Sequence, residues 1–244
     1  MFKPNNLTVV LCLVAGLLTA CTLTGEQVNL EGSGNIETQE KDLGGFNELR
    51  ASHSFKVEVK RGEDYRIVTR VDDNVQDYVV IKKKGDTLSI GLDPAYNYTT
   101  QKTTLEAEVT MPELTRIRLS GSSDATISGF ASNDVFEADL SGSSTLRGDL
   151  EAGDASFDVS GSSSVILTGA AQNLTIDASG SSDIDLSALP VLDANVDASG
   201  SSTVMVKPSG TLDVDASGAS NVTYLGDPIL GDIDTSGGSS VDRR

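Results

Sequence analysis

From residue 116 onward, apolar and polar residues alternate in a pattern that repeats. Ser-Gly recurs at Ser120-Gly121, Ser141-Gly142, Ser160-Gly161, Ser179-Gly180, Ser199-Gly200, Ser217-Gly218 and Ser236-Gly237, at intervals of 21, 19, 19, 20, 18 and 19 residues. Four positions before each Gly stand Ile117, Ala138, Phe157, Ile176, Val196, Val214 and Ile233, and two before it stand Leu119, Leu140, Val159, Ala178, Ala198, Ala216 and Thr235. Four after it stand Ala125, Leu146, Val165, Ile184, Val204, Val222 and Val241; six after it stand Ile127, Gly148, Leu167, Leu186, Val206 and Tyr224. Alternation on both flanks of a Gly-Ser turn predicts two half-buried strands per repeat. A flexible Ser/Gly linker would hold no such register. A period of about 19–20 residues is too short for helix-pair repeats and carries no leucine-rich signature. The pattern predicts an all-β fold, a right-handed parallel β-helix whose coils bury their inward rows only by stacking on one another. A β-sandwich is the alternative, but sandwiches do not repeat their own sequence at fixed period.

The first half holds a worn copy of the same unit. With His53 placed at the Gly position, Leu49, Ala51, Val57 and Val59 fall on the four inward columns, and the single His becomes a turn corner. Strand-like segments follow at residues 65–69, 79–81, 87–90 and 105–109, with Gly85-Asp86 as a hairpin turn between two of them. Asp93-Pro94-Ala95-Tyr96-Asn97-Tyr98 reads as a loop. This strand-rich part is expected to cap one end of the solenoid, since an uncovered end presents unpaired backbone. No cap is evident after Val241-Asp242-Arg243-Arg244.

The N-terminus changes the address. Lys3, an apolar run from Leu7 to Ala20 and a small-residue site read as a secretory signal peptide. The run is shorter than the roughly 18–20 residues that a membrane span needs. Leu18-Thr19-Ala20-Cys21 resembles a bacterial lipobox, which implies lipidation of Cys21 and a membrane partner through that anchor. Thr22 in place of Asp leans towards the outer membrane by the Gram-negative sorting rule. Cys12 leaves with the signal, so packing and hydrogen bonds must hold the exported fold without disulfides. The expected organisation is a signal peptide over 1–20, an N-terminal tether over 21–34 and a β-helix domain over 35–242. Within that domain, 35–115 is the capping part and 116–242 the regular array.

Composition then narrows the chemistry. The 244 residues carry 36 acids against 18 Lys and Arg, a formal net charge of −18, with two Cys and one His. That balance repels phosphate backbones, so nucleic acid is not expected as a partner. So few Cys and His leave no ordinary zinc site and no general base for the many Ser hydroxyls. From Ser120 to Ser240 the cations are Arg147 and Lys207 against 18 acids. A β-helical polysaccharide lyase, the enzymatic alternative, needs a basic residue to abstract a proton. Lys82-Lys83-Lys84 reads as a solvated hairpin tip, and Tyr96 and Tyr98 as loop aromatics that pack locally.

The most regular polar feature is a column three positions before each Gly: Asp139, Asp158, Asp177, Asp197, Asp215 and Asp234, with Arg118 in the first repeat. It alternates with the inward columns and therefore points outward. A ladder of carboxylates beside Ser hydroxyls is a candidate Ca²⁺ site, although Ca²⁺ takes six to eight oxygens and stacked Asp supply only some. The simpler reading is a solvated face that resists aggregation.

Gly34-Asn35-Ile36, Phe46-Asn47-Glu48-Leu49 and Met111-Pro112-Glu113-Leu114 leading into Leu119-Ser120-Gly121-Ser122 together resemble the auto-transporter adhesin head GIN domain family. The resemblance spans roughly Asn35 to Val241. It implies a β-helical fold and a home in the bacterial envelope, and brings no catalytic residue to carry over. The expected function is that of a cell-envelope lipoprotein with an adhesin-like, non-catalytic binding or scaffolding role toward a glycan or protein ligand. Two alternatives stand beside it: a glycan-active enzyme, and a Ca²⁺-dependent surface protein that self-associates through its C-terminal coil.

Overall fold

The computed structural model describes residues 26–244. The signal run and Cys21 lie outside the described residues. The cap part runs through β1 (Glu26–Glu31), β2 (Ile36–Lys41), β3 (Glu48–Ala51), β4 (Lys56–Arg61), β5 (Arg66–Asp72), a 3₁₀ turn (Asp73–Tyr78), β6 (Val79–Lys84), β7 (Thr87–Leu92), β8 (Tyr96–Gln101) and β9 (Leu105–Met111). The repeats follow as strand pairs, beginning with β10 (Arg116–Leu119) and β11 (Asp124–Ala131), then β12 (Phe136–Leu140) and β13 (Thr145–Glu151). They continue with β14 (Asp154–Val159), β15 (Ser164–Ala170), β16 (Asn173–Ala178), β17 (Asp183–Val191), β18 (Asp193–Ala198) and β19 (Thr203–Pro208). The last coils are β20 (Thr211–Ala216) with β21 (Asn221–Tyr224), and β22 (Ile229–Thr235) with β23 (Ser240–Arg243).

The seven strands before each Ser-Gly join cap strands β3, β7 and β6 in a ten-stranded sheet in the order β22-β20-β18-β16-β14-β12-β10-β3-β7-β6. The seven after it join cap strands β4, β9, β5 and β2 in an eleven-stranded sheet, β2-β5-β9-β4-β11-β13-β15-β17-β19-β21-β23. Inward side chains of both sheets share one core, and the stacked coils make a β-solenoid of about six turns. Phe136 and Phe157 meet there with ring centroids 6.2 Å apart.

The Ser-Gly corner explains its own sequence. Gly142, Gly161, Gly180, Gly200, Gly218 and Gly237 have φ between 73° and 78°. A Cβ on any of them would lie 2.4–2.6 Å from the carbonyl oxygen of the preceding corner Gly. Left-handed backbone and close stacking therefore both demand glycine. The same carbonyls accept the N–H one residue beyond the next Gly, as in Ser162 to Gly142 and Ser181 to Gly161, both 2.7 Å. Two residues after the Gly, Ser123, Ser144, Ser163, Ser182, Ser202 and Ser220 are buried. Most donate their hydroxyl back across the turn, as Ser202 does to the Ser199 carbonyl at 2.6 Å. Each corner is thus tied both to itself and to the next coil. The opposite corner takes up the variation in repeat length, with register shifts in β11, β17 and β22 pairings.

The worn copy pairs in frame. Leu49 and Ala51 stand opposite Ile117 and Leu119, and Val57 and Val59 opposite Ala125 and Ile127, all parallel. His53 takes the corner with φ +60°. Spatial order departs from chain order here, because β7 and β9 stack on the far side of β3 and β4. Antiparallel β2, β5 and β6 then close this end.

Two segments differ from the sequence reading. Glu26–Glu31, inside the stretch expected as a tether, is a strand paired in parallel with β8, and its Leu30 is buried. Tyr96-Asn97-Tyr98, expected as the end of a loop, opens that partner strand, Tyr96–Gln101. Neither segment alternates strongly enough to be read alone; each becomes a strand because the other satisfies its backbone. The join is fixed by Asp72, buried to 1 % exposure, whose carboxylate accepts the N–H of Gly34 and of Thr104, both at 2.7 Å.

Candidate functional site

Alternation in the ten-stranded sheet places three rows of side chains on its outer face, one residue per coil. The middle row crosses every strand: Lys82 opposite Ser89, Ser89 opposite Arg50, Arg50 opposite Arg118, and Arg118 opposite Asp139. Asp158, Asp177, Asp197, Asp215 and Asp234 then follow in register. Adjacent members stand about 4.8 Å apart. One row therefore runs from cations at the cap to carboxylates at the C-terminal end.

Its centre is neutralised. Arg118 donates to Asp139 at 3.0 Å and lies 3.5 Å from Glu48, while Arg116 is ion-paired with Glu137. Beyond Asp139 the five carboxylates are exposed, and among the described residues none has a cation within salt-bridge distance. Partial burial, then repulsion from Asp177 and Asp139, raises the Asp158 pKa above its ordinary 3.8. A raised pKa in the folded chain means that the native state holds a proton the unfolded chain has released. Its stabilising contribution is full below the unfolded value and is lost as pH rises through the folded one. Asp158→Asn should therefore raise the thermal midpoint at pH 7, with the gain shrinking as pH falls through the carboxylate range. A midpoint lowered at neutral pH would contradict this account.

Among the described residues no three His, Cys, Asp or Glu side chains group so that they could hold a metal ion. A straight row with one carboxylate per coil offers an ion two neighbours at most, against the six to eight oxygens of a Ca²⁺ cage. The six Asp form a charged strip along the sheet face.

At the cap end the same face opens into a cleft of about 580 Å³. Arg50, Lys82, Lys84, Ser52, Ser89 and Ser120 bring polar groups to it, with Val80 and Pro94 among its apolar members and no carboxylate in its lining. Gly91 keeps one wall bare, since a Cβ there would lie 2.4 Å from Ser52 Oγ. His53 sits at the edge. Its Nδ1 accepts the Leu92 N–H at 3.3 Å and lies 2.9 Å from Ser52 Oγ, which places the proton of the neutral ring on Nε2. Burial lowers its pKa, so the ring is neutral at pH 7. Tyr98 meets it edge-on at 5.8 Å. Among the described residues no carboxylate is hydrogen-bonded to the ring, whose partners are Ser52 and the Leu92 N–H. Tyr78, Tyr96 and Tyr98 pack on one another, and burial with the nearby Asp93 pushes the Tyr98 phenol up to about 12.

The Asp row was legible in the sequence and the cleft was not. Arg50 was legible, because it falls three positions before the worn corner, in the Asp column. Lys82 was not, because an antiparallel cap strand brings it to that row.

Fold and face together define a two-sheet β-solenoid that displays repeat-borne polar rows. The chain belongs to the family described as "Putative auto-transporter adhesin, head GIN domain", whose pattern matches residues 45–228. Similar solved structures include a "putative adhesin" from Bacteroides fragilis, at 16 % identity and a TM-score of 0.78 over 88 % of this chain and 100 % of that one. A "Putative lipid binding protein" from Parabacteroides distasonis is 20 % identical, with a TM-score of 0.72 over 89 % and 100 % of the two chains. A "putative adhesin" from Parabacteroides merdae reaches 0.67 at 17 % identity over 88 % and 99 %. At these identities the likeness is one of fold. No protein of curated function matches the sequence.

Proposed function

We propose that the chain is an adhesin-like binding protein of the bacterial cell envelope, held to the membrane through lipid on Cys21 and acting without catalysis. The carrying observation is the outer face of the ten-stranded sheet, where exposed carboxylates recur once per coil on a rigid support. Such a strip suits a partner whose positive charges also recur, and it favours encounter and orientation more than raw affinity. Family membership supports a binding role, and the lipobox-like Leu18-Thr19-Ala20-Cys21 supports the anchored location.

The test is retention of the full chain on a panel of basic surface proteins and neutral or acidic polysaccharides, with products assayed in parallel. Retention on a basic partner, weakened a few fold by Asp177→Asn with Asp197→Asn and by added salt, is the expected result. Release of reducing or unsaturated sugar ends would overturn the non-catalytic reading, and salt-independent retention would overturn the role of the strip.

A further inference from the structure

We propose that the cleft at the cap end of the ten-stranded sheet binds a phosphate monoester, carried either by a small soluble molecule or by a lipid headgroup. It is separate from the acidic strip, and neither proposal depends on the other.

Charge pairing sets this cleft apart. Arg66, Arg70, Arg116, Arg118 and Lys60 all have acidic partners within 4.0 Å. Arg50, Lys82 and Lys84 have none among the described residues; Lys56, Lys83 and other surface cations are unpaired too, but these three line one cavity. In a chain of net charge −18, unpaired cations gathered around a cavity free of carboxylates ask for an anion from outside. The register says how they would hold it. Lys82 and Arg50 both stand opposite Ser89, one from each side, so the Ser89 hydroxyl lies between them. Among the described residues that hydroxyl has no hydrogen-bond partner.

Three cations and free hydroxyls match a phosphate monoester, with its charge of about −1.5 to −2 and three acceptor oxygens. A carboxylate would leave two of the cations unmatched. Arg50 supplies a planar fork for two oxygens, while the lysines act as mobile point charges. The cleft falls within the size range of small-ligand sites, about 300–1,000 Å³. The carboxylate strip does not cancel the attraction. Asp139 is neutralised by Arg118, and Asp158, which shares a neighbouring pocket with Arg50, stands three strands away along the backbone, about 14 Å.

The full chain is titrated calorimetrically with glycerol 3-phosphate and with glucuronate, and floated with phosphatidylcholine vesicles with and without phosphatidic acid. Saturable binding to glycerol 3-phosphate, to the phosphatidic acid vesicles or to both is expected, with the double variant R50Q/K82Q weakened about tenfold or more. Lys56→Gln, on the other sheet, should bind as the parent does. Binding of the soluble ester alone identifies a free phosphate as the source, and binding of vesicles alone a headgroup; both support the site. The single variant Lys84→Gln, weakened less, guards against a folding defect in the double one. Absence of binding to either phosphate probe, equal affinity for glucuronate, or undiminished binding by R50Q/K82Q would overturn the proposal.

Discussion

Gly180→Val should destabilise the middle of the solenoid by about 2–5 kcal/mol, from about 1–2 for the left-handed backbone and 1–3 for overpacking. Gly180 has φ +76°, and a Cβ there would stand 2.5 Å from the Gly161 carbonyl oxygen. Backbone cannot move aside as the end of a flexible side chain can. That same carbonyl accepts the Ser181 N–H at 2.7 Å, so a shift that relieves the clash also breaks the tie between coils. The next corner is strained in turn, because Gly200 stacks on the carbonyl of Gly180 in the same way. Ser181→Ala, one residue along and exposed, is the control and should stay within about 0.5 kcal/mol of the parent. A solenoid need not melt as one unit, so hydrogen exchange read coil by coil is the better measurement. Protection should fall first in the coils on either side of Gly180. Equal protection in the valine variant and the parent would show that the corner tolerates a side chain.

Asp72→Ala should cost about 2–6 kcal/mol, through about 1–3 for each of two N–H groups left without an acceptor. The carboxylate is buried and accepts from Gly34 and Thr104, which lie on separate connections, β1 to β2 and β8 to β9. Its loss removes one of the contacts that join them, while Gly32 still donates to the Gln101 carbonyl. Exchange should rise in β1, β8 and the start of β2 while the coils after β12 keep their protection. Asp72→Asn keeps one acceptor but brings an amide donor against the second N–H, so its loss should be intermediate. Uniform loss of protection along the rod would show instead that cap and array unfold together. The cleft shares this end of the molecule, so Asp72→Ala should also weaken phosphate binding without touching a lining residue.

How much of this was legible before folding differs from residue to residue. The inward columns, the outward Asp row and the corner at His53 follow from local alternation counted against one reference position. The buried serines two residues after each Gly share the parity of the inward columns, yet a hydroxyl reads as polar and suggests the surface. Their burial is tolerable only because the turn places a carbonyl within reach, as Ser179 does for Ser182 at 3.1 Å.

The sequence by itself determined the repeat, the strand pairs and which side chains face in, because each coil makes the same local choice and stacks on a copy of itself. Only the tertiary structure decided that β7 and β9 lie beyond β3 and β4, that β1 meets β8, and that Lys82 joins Arg50 across Ser89. Those pairings join segments of unlike sequence at long separation. No periodicity announces them, and they form because the open end of the stack must satisfy its backbone with whichever strands can reach it.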